Sequence, residues 1–168
     1  MISALITIVA AALLVAIDQG IKLWATASLA PVGSMPLLPG VIELRYHLND
    51  GAAFSILQGK QAFLIAFTGI ALVLVAAYLL FKKPAKRLEY IGWLLVLGGG
   101  IGNLVDRVMN GQVVDYLNLL FMNFAIFNFA DILVCTGIGL LLLSLILDEV
   151  AAHKAKSEQQ PEGDDGTA

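Results

Sequence analysis

The sequence predicts a membrane protein, mainly α, with four transmembrane helices, a small extracytoplasmic β-sheet acting as a cradle, and both termini cytoplasmic. Three observations carry that prediction. The 168-residue chain is 59% hydrophobic and only 14% charged, with a mean hydropathy of +0.86, whereas about a quarter of a soluble domain is charged. Charge-free apolar stretches recur at 1–17, 61–81, 90–105 and 132–147, and with their polar ends each supplies the ~20 residues of a spanning helix. The first and last of the segments between them carry strand patterns.

The first stretch resembles a secretory leader, because Ala25-Thr26-Ala27 mimics an A-x-A cleavage site. It lacks a basic start, however, and Asp18 and Lys22 interrupt it before that site, so it reads as a retained helix. The segment 28–60 follows. Within it Ile42, Leu44, Tyr46 and Leu48 alternate with Glu43, Arg45 and His47 after a Pro39-Gly40 turn, the period-two pattern of a strand with one apolar face. Lys82, Lys83, Lys86 and Arg87 crowd the short link between the second and third helices, where Pro84 breaks the helix. Such a link stays in the cytoplasm, which places both termini inside and the segments 28–60 and 108–127 outside. In the second outer segment Asn110-Gly111 reads as a hairpin turn before the β-branched pair Val113-Val114. After the fourth helix the acids Asp148, Glu149, Glu158, Glu162, Asp164 and Asp165 face only Lys154 and Lys156. The division is a membrane domain over 1–153 and an acidic, disordered cytoplasmic tail over 154–168.

The polar residues inside the apolar stretches carry the chemistry. At ~1.5 Å per residue, Asp18, Asn103 and Asp131 each lie ~25 Å from the cytoplasmic end of their helices, in the outer third of the hydrocarbon layer. The same topology brings Asn49, Asp106, Arg107 and Asp115 to that face. Each has a plainer reading. Asp18 and Lys22 are an i, i+4 pair that either neutralise each other or serve a site. Asn128 and Asp131 fit the N-cap and N3 positions of the fourth helix. Asp106 and Arg107 point to different sides of one helix, and Arg107 would also suit a membrane interface. Gly98, Gly99, Gly100 and Gly102 fit close helix packing, and no P-loop lysine follows them. Cys135, the single cysteine, reads as a small lipid-facing or core side chain and permits no intrachain disulfide. His47 and His153 stand at opposite ends of the chain, so no zinc-ligand cluster is present and a metalloenzyme is argued against.

Asp115, in VVDY, and Asp131, in FNFAD, are sixteen residues apart. An ionised carboxylate costs roughly 2.5 to 3.5 kcal/mol at the centre of an inserted helix, so it needs a partner, a wet cavity or chemistry to perform. Two neighbouring carboxyls that share a proton form an aspartic protease dyad, one acting as base on water and the other polarising a carbonyl.

The motifs together resemble the bacterial lipoprotein signal peptidases, signal peptidase II, over nearly the whole chain except the tail. The residues that carry the resemblance are Asp18-Gln19 with Lys22, NDGAAFS from Asn49, GGGIGNLVDR from Gly98, VVDY from Val113 and FNFAD from Phe127. It implies that Asp115 and Asp131 are catalytic and that Asn49, Asn103, Arg107 and Asn128 line the site, with Asp18, Lys22, Gly51 and Ala52 supporting it. Asp106 matches too, in a structural role. The implied substrates are diacylglycerated prolipoproteins, cut just before the lipidated lipobox cysteine, and the implied inhibitors are cyclic peptides of the globomycin type. No cofactor, metal or nucleic acid is implied; membrane lipid is, as is a place in the bacterial cytoplasmic (inner) membrane with the site near its outer face. One small bundle can hold the whole site as a monomer. Asp50 occupies a variable position of the motif and is expected to face solvent. The segment 41–48 with GAAFS would form a lid or cradle over an extended peptide.

Two rival classes are weighed against this reading. A proton- or ion-coupled transporter would show internal repeats and polar breaks near the midplane, whereas here the halves show no evident repeat and the polar groups gather at one face. A non-catalytic assembly factor would leave lipoprotein processing indifferent to both aspartates.

Overall fold

A computed structural model of the chain describes residues 2–51, 57–82 and 84–159. Four long helices, α1 (Ile2–Leu29), α2 (Gln61–Ala77), α3 (Arg87–Asn110) and α4 (Phe129–Gln159), are joined by a three-stranded antiparallel sheet of order β1-β2-β3. Its strands are β1 (Ser34–Leu38), β2 (Ile42–Asn49) and β3 (Val113–Leu119). All four helices are long and apolar enough to cross a membrane, and their outward faces carry exposed Leu5, Ile8, Leu13, Phe67, Val73, Leu142 and Leu145. The protein is a multi-pass membrane protein.

In α1 a single stripe of Thr7, Ala11, Asp18, Lys22, Ala25 and Leu29 is buried, the spacing of one helix face. At its apolar end Ala25 and Leu29 pack with Leu44, Val114 and Tyr116, so the sheet sits directly on the end of α1. The Pro39-Gly40 turn forms as expected, with Gly40 at φ 74° between β1 and β2.

The Asn110-Gly111 expectation is corrected. Asn110 is the last residue of α3, and Gly111 (φ 72°) is its left-handed C-cap, donating to the Arg107 carbonyl. Tight hairpins and helix C-caps both select Gly for positive φ, so the dipeptide alone does not separate them. β3 pairs instead with β2, through His47 opposite Asp115 and Asn49 opposite Val113. Helix α4 also runs through Gln159, past the boundary expected at 153. The tail beyond it lies outside the described residues, as do Lys83 and the Ala52–Ser55 part of the GAAFS motif.

Helix α3 is the hub, touching each of the other three, and its glycines set how closely they approach. A Cβ on Gly99 would lie 2.4 Å from the carbonyl oxygen of Ala130 at the start of α4, and one on Gly102 would lie 2.5 Å from Asp18 Oδ2 on α1. The neighbour of Gly99 is backbone and cannot rotate away. Gly99→Ala is therefore expected to destabilise the protein by about 1–3 kcal/mol, the usual cost of overpacking. A thermal melt in detergent checks this, with Gly139→Ala as the control, because nothing lies within 4 Å of that position; equal melting of the two variants would contradict it.

Candidate active site

Helix α4 begins where β3 returns to the membrane. Phe127 and Leu117 exchange backbone hydrogen bonds of 2.8 and 3.1 Å, so the chain that left Asp115 comes back beside it and Asn128 follows at the mouth of α4. The first backbone N–H groups of a helix lack intrahelical partners, and here side chains from separate elements supply them. Phe129 N–H donates to Tyr116 Oη (3.1 Å), Ala130 N–H to Asp18 Oδ1 (3.1 Å) and Asp131 N–H to Asn128 Oδ1 (3.0 Å). Asp131 Oδ2 accepts the Asn128 N–H at 3.0 Å, which completes a reciprocal capping box.

The cap accounts for one side of these two residues; the other side faces Asp115. Asn128 Nδ2 donates to Asp115 Oδ1 at 2.6 Å and to Asn103 Oδ1 at 3.1 Å. Asn49 Nδ2 holds Asp115 Oδ2 at 2.9 Å, and Asn103 Nδ2 holds Asp131 Oδ1 at 2.8 Å. Every oxygen of the two carboxyls therefore has a donor. Asp115 is buried, at 1% exposure; burial, and after it the neighbouring charge of Asp131, push its carboxyl up to about 7. A carboxyl in that range can carry a proton at neutral pH, as proton-sharing chemistry needs.

The pair stands at the polar end of a cleft of about 540 Å³ that also takes in Asn49, Asn103 and Arg107. Phe124, Ile126, Phe127, Ile132 and Val134 make the rest of its wall apolar, so the cleft suits a substrate with a peptide bond at one end and hydrocarbon at the other.

Residues 10–147 match the family model described as "Signal peptidase (SPase) II". The chain belongs to the signal peptidase II family. It is 42% identical to a lipoprotein signal peptidase of Enterococcus faecalis, over 87% of this chain and 91% of that protein. It is 41% identical to one of Lactococcus lactis, over 79% and 87%, and 39% identical to one of Halalkalibacterium halodurans, over 89% and 97%. Two solved bacterial membrane enzyme structures superpose on it. One has a TM-score of 0.76 at 29% identity, covering 93% of this chain and 92% of that one; the other has 0.72 at 31%, covering 83% and 91%.

In this signal peptidase II chain the expected residues fall into two layers. Asn49, Asn103, Arg107, Asp115 and Asp131 line the cleft, and Asn128 sits just behind them, fully buried. Asp18, Lys22 and Asp106 are buried below as an ion cluster, so the i, i+4 pair both neutralises itself and reaches the site. Arg107 Nη2 donates to the Gly51 carbonyl at 3.0 Å, and Gly51 N–H donates to Asn49 Oδ1 at 2.9 Å. Gly51 thus ties Arg107 to Asn49. Ala52 lies outside the described residues. Asp50 is half-buried, and its carbonyl accepts from Gln61 Nε2 at 2.6 Å. Cys135 lines the cleft and is exposed rather than part of the core.

Tyr116 and Gln19 were not picked out from the sequence as site residues. Strand alternation turns Tyr116 away from Asp115 toward α1, where burial pushes its phenol up to about 12; its oxygen still reaches the first turn of α4. Gln19 Nε2 donates to Asp106 Oδ1 at 3.0 Å and to the Gly102 carbonyl at 3.1 Å. Both stand inside quoted motifs, but the partners of Gln19 lie 83 and 87 positions away and that of Tyr116 lies 13 away, and no spacing points to them.

Proposed function

We propose that this protein is an aspartic endopeptidase that removes signal peptides from diacylglycerated prolipoproteins, cutting just before the lipidated cysteine. The observation that carries the proposal is the convergence of Asp115 and Asp131, through Asn103 and Asn128, at the polar end of a cleft whose remaining wall is apolar. Family membership and the lipoprotein signal peptidases among its relatives support the same substrate class.

Asp115, with its raised affinity for a proton, carries the shared proton and donates it to the scissile carbonyl oxygen. Asp131 takes a proton from water as the water oxygen bonds to the carbonyl carbon. The tetrahedral diol then breaks its C–N bond: the new amine receives the proton held on Asp131, and a diol hydroxyl returns its proton to Asp115, which restores the pair. Arg107 and Asn49 border the cleft and orient the peptide. The reaction needs no metal or cofactor.

The cations Lys82, Lys83, Lys86 and Arg87 in one short link support a site near the outer face of the bacterial cytoplasmic membrane, with both termini inside. There a signal peptide presents its cleavage point and the adjacent lipid together. Cyclic peptides of the globomycin type would compete for the cleft, and the bundle works as a monomer.

The test uses the purified full chain with one prolipoprotein in two forms, diacylglycerated and unmodified, and reads the new N-terminus by mass spectrometry. Cleavage of the lipidated form before its cysteine, with the unmodified form cut at least about tenfold more slowly, is the expected result. Equal cleavage of both removes the lipid requirement, and cleavage of neither removes the activity.

A further inference from the structure

Three charges are buried behind the cleft wall: Asp18, Lys22 and Asp106 are at most 2% exposed. Lys22 Nζ lies 2.8 Å from Asp18 Oδ2 and 2.9 Å from Asp106 Oδ2, and donates to Asn103 Oδ1 at 2.8 Å. An ammonium has three N–H groups, and all three are committed. The two carboxylates use their other contacts in parallel ways. Asp18 Oδ1 accepts the N–H of Ala130 at 3.1 Å, and Asp106 Oδ2 accepts the N–H of Val114 at 3.2 Å. Ala130 immediately precedes Asp131, and Val114 immediately precedes Asp115. One ammonium therefore joins two carboxylates, each of which grips the backbone beside one member of the dyad.

We propose that Lys22 is a positioning residue, the centre of an Asp18–Lys22–Asp106 clamp that sets the separation and orientation of Asp115 and Asp131. The proposal rests on the dyad reading given above. Lys22 also occupies Asn103 Oδ1, which leaves Asn103 Nδ2 to point at Asp131 and fixes the orientation of that amide. Stability alone is a poor reason for such a cluster, because replacing buried ion pairs by apolar residues is often neutral or stabilising. Gly102 makes room for it: a Cβ there would lie 2.5 Å from Asp18 Oδ2.

Besides each other, the dyad faces Lys22 and Asp18 from α1, Asp106 and Arg107 from α3, and His47, the cross-strand partner of Asp115 on β2. Lys22→Arg keeps the charge among these groups. Its planar guanidinium cannot present three divergent N–H groups as an ammonium does, so the clamp loosens without a change of net charge. Two carboxyls that move apart repel less and release their shared proton more readily, so the basic limb of kcat/KM moves to lower pH. The expected result for K22R in the purified full chain is a fall of about 10- to 100-fold in kcat, the scale of a misplacement near 1 Å, together with that shift of the basic limb.

If K22R does not fold, Lys22→Gln combined with Asp18→Asn removes one charge of each sign, keeps an acceptor for Ala130 N–H, and is expected to lower kcat by the same factor; it also removes the Lys22 charge that favours ionised Asp115, so kcat is the quantity read. Folded variants with full kcat and an unmoved basic limb would overturn the clamp. A loss of activity that only tracks the folded fraction, with both limbs in place, would overturn it as well by making Lys22 merely structural. A failure of the dyad reading shows separately, as normal cleavage by folded Asp115→Asn.

Discussion

Asp115→Asn and Asp131→Asn are each expected to lower cleavage of a diacylglycerated prolipoprotein by about 10³-fold or more while the protein stays folded, since each removes a group that moves a proton in the transition state. The amide is nearly the same size as the carboxyl, so packing survives. Its N–H group, however, meets donors: Asn49 and Asn128 both donate to Asp115, and Asn103 and the Asn128 backbone both donate to Asp131. Asn103 cannot turn its oxygen toward position 131 without giving up Lys22. A gel-shift assay on purified protein, alongside a thermal melt, checks the outcome, and normal cleavage by either folded variant would sink the dyad.

The same pair sets the pH response. Asp115 titrates at about 7 because burial, and then the charge of Asp131, favour its neutral form. Its proton is present below that pH and lost above it. kcat/KM of the parent protein is therefore expected to fall as pH rises through about 7, approaching tenfold per unit on the basic side. A profile flat to about pH 9 would contradict the assignment of Asp115 as the proton-bearing member.

Asn128→Ala is the second large effect. One side chain caps α4 through Asp131 N–H, donates to Asp115 and donates to Asn103. Losing the cap costs about 1 kcal/mol, and Asp115 keeps only the Asn49 donor in a buried place. The expected result is a lower melting temperature together with a fall of about 10²-fold in kcat, the scale for removing one fixed donor from a site of developing charge. Asn128→Ser separates the two roles. Serine is a good N-cap but too short to reach Asp115, so the melt should recover while kcat stays low. Recovery of both would reduce Asn128 to a helix cap.

Much of this arrangement could be read before the fold was seen. The four spans follow from hydropathy because lipid leaves the backbone few options besides a helix. That Asp18, Asn103 and Asp131 gather at one end of the bundle follows from counting residues at a fixed rise. The strand 42–48 and the turn before it follow from alternation and from Pro39-Gly40. Asn110-Gly111 was misread because a positive φ has two uses, and only the register of β3 against β2 distinguishes them. Cys135 is exposed rather than in the core, and that it borders the cleft could not be read because periodicity does not say which face of α4 does so.

By itself the sequence determined a membrane bundle with its acids and amides at one end, the family motifs, and the two aspartates most worth testing. Those are properties of composition and spacing along single elements, and they survive without knowledge of how the elements pack. The tertiary structure decided that Asn128 donates to both Asp115 and Asp131 while Asn103 holds Asp131 and accepts from Asn128, that Tyr116 and Asp18 hold the first turn of α4, and that Lys22 joins the carboxylates gripping the backbone beside each. These contacts pair residues up to 112 positions apart. Which donor meets which oxygen is set by the close approach of α1, α3, α4 and β3, and no local pattern encodes it.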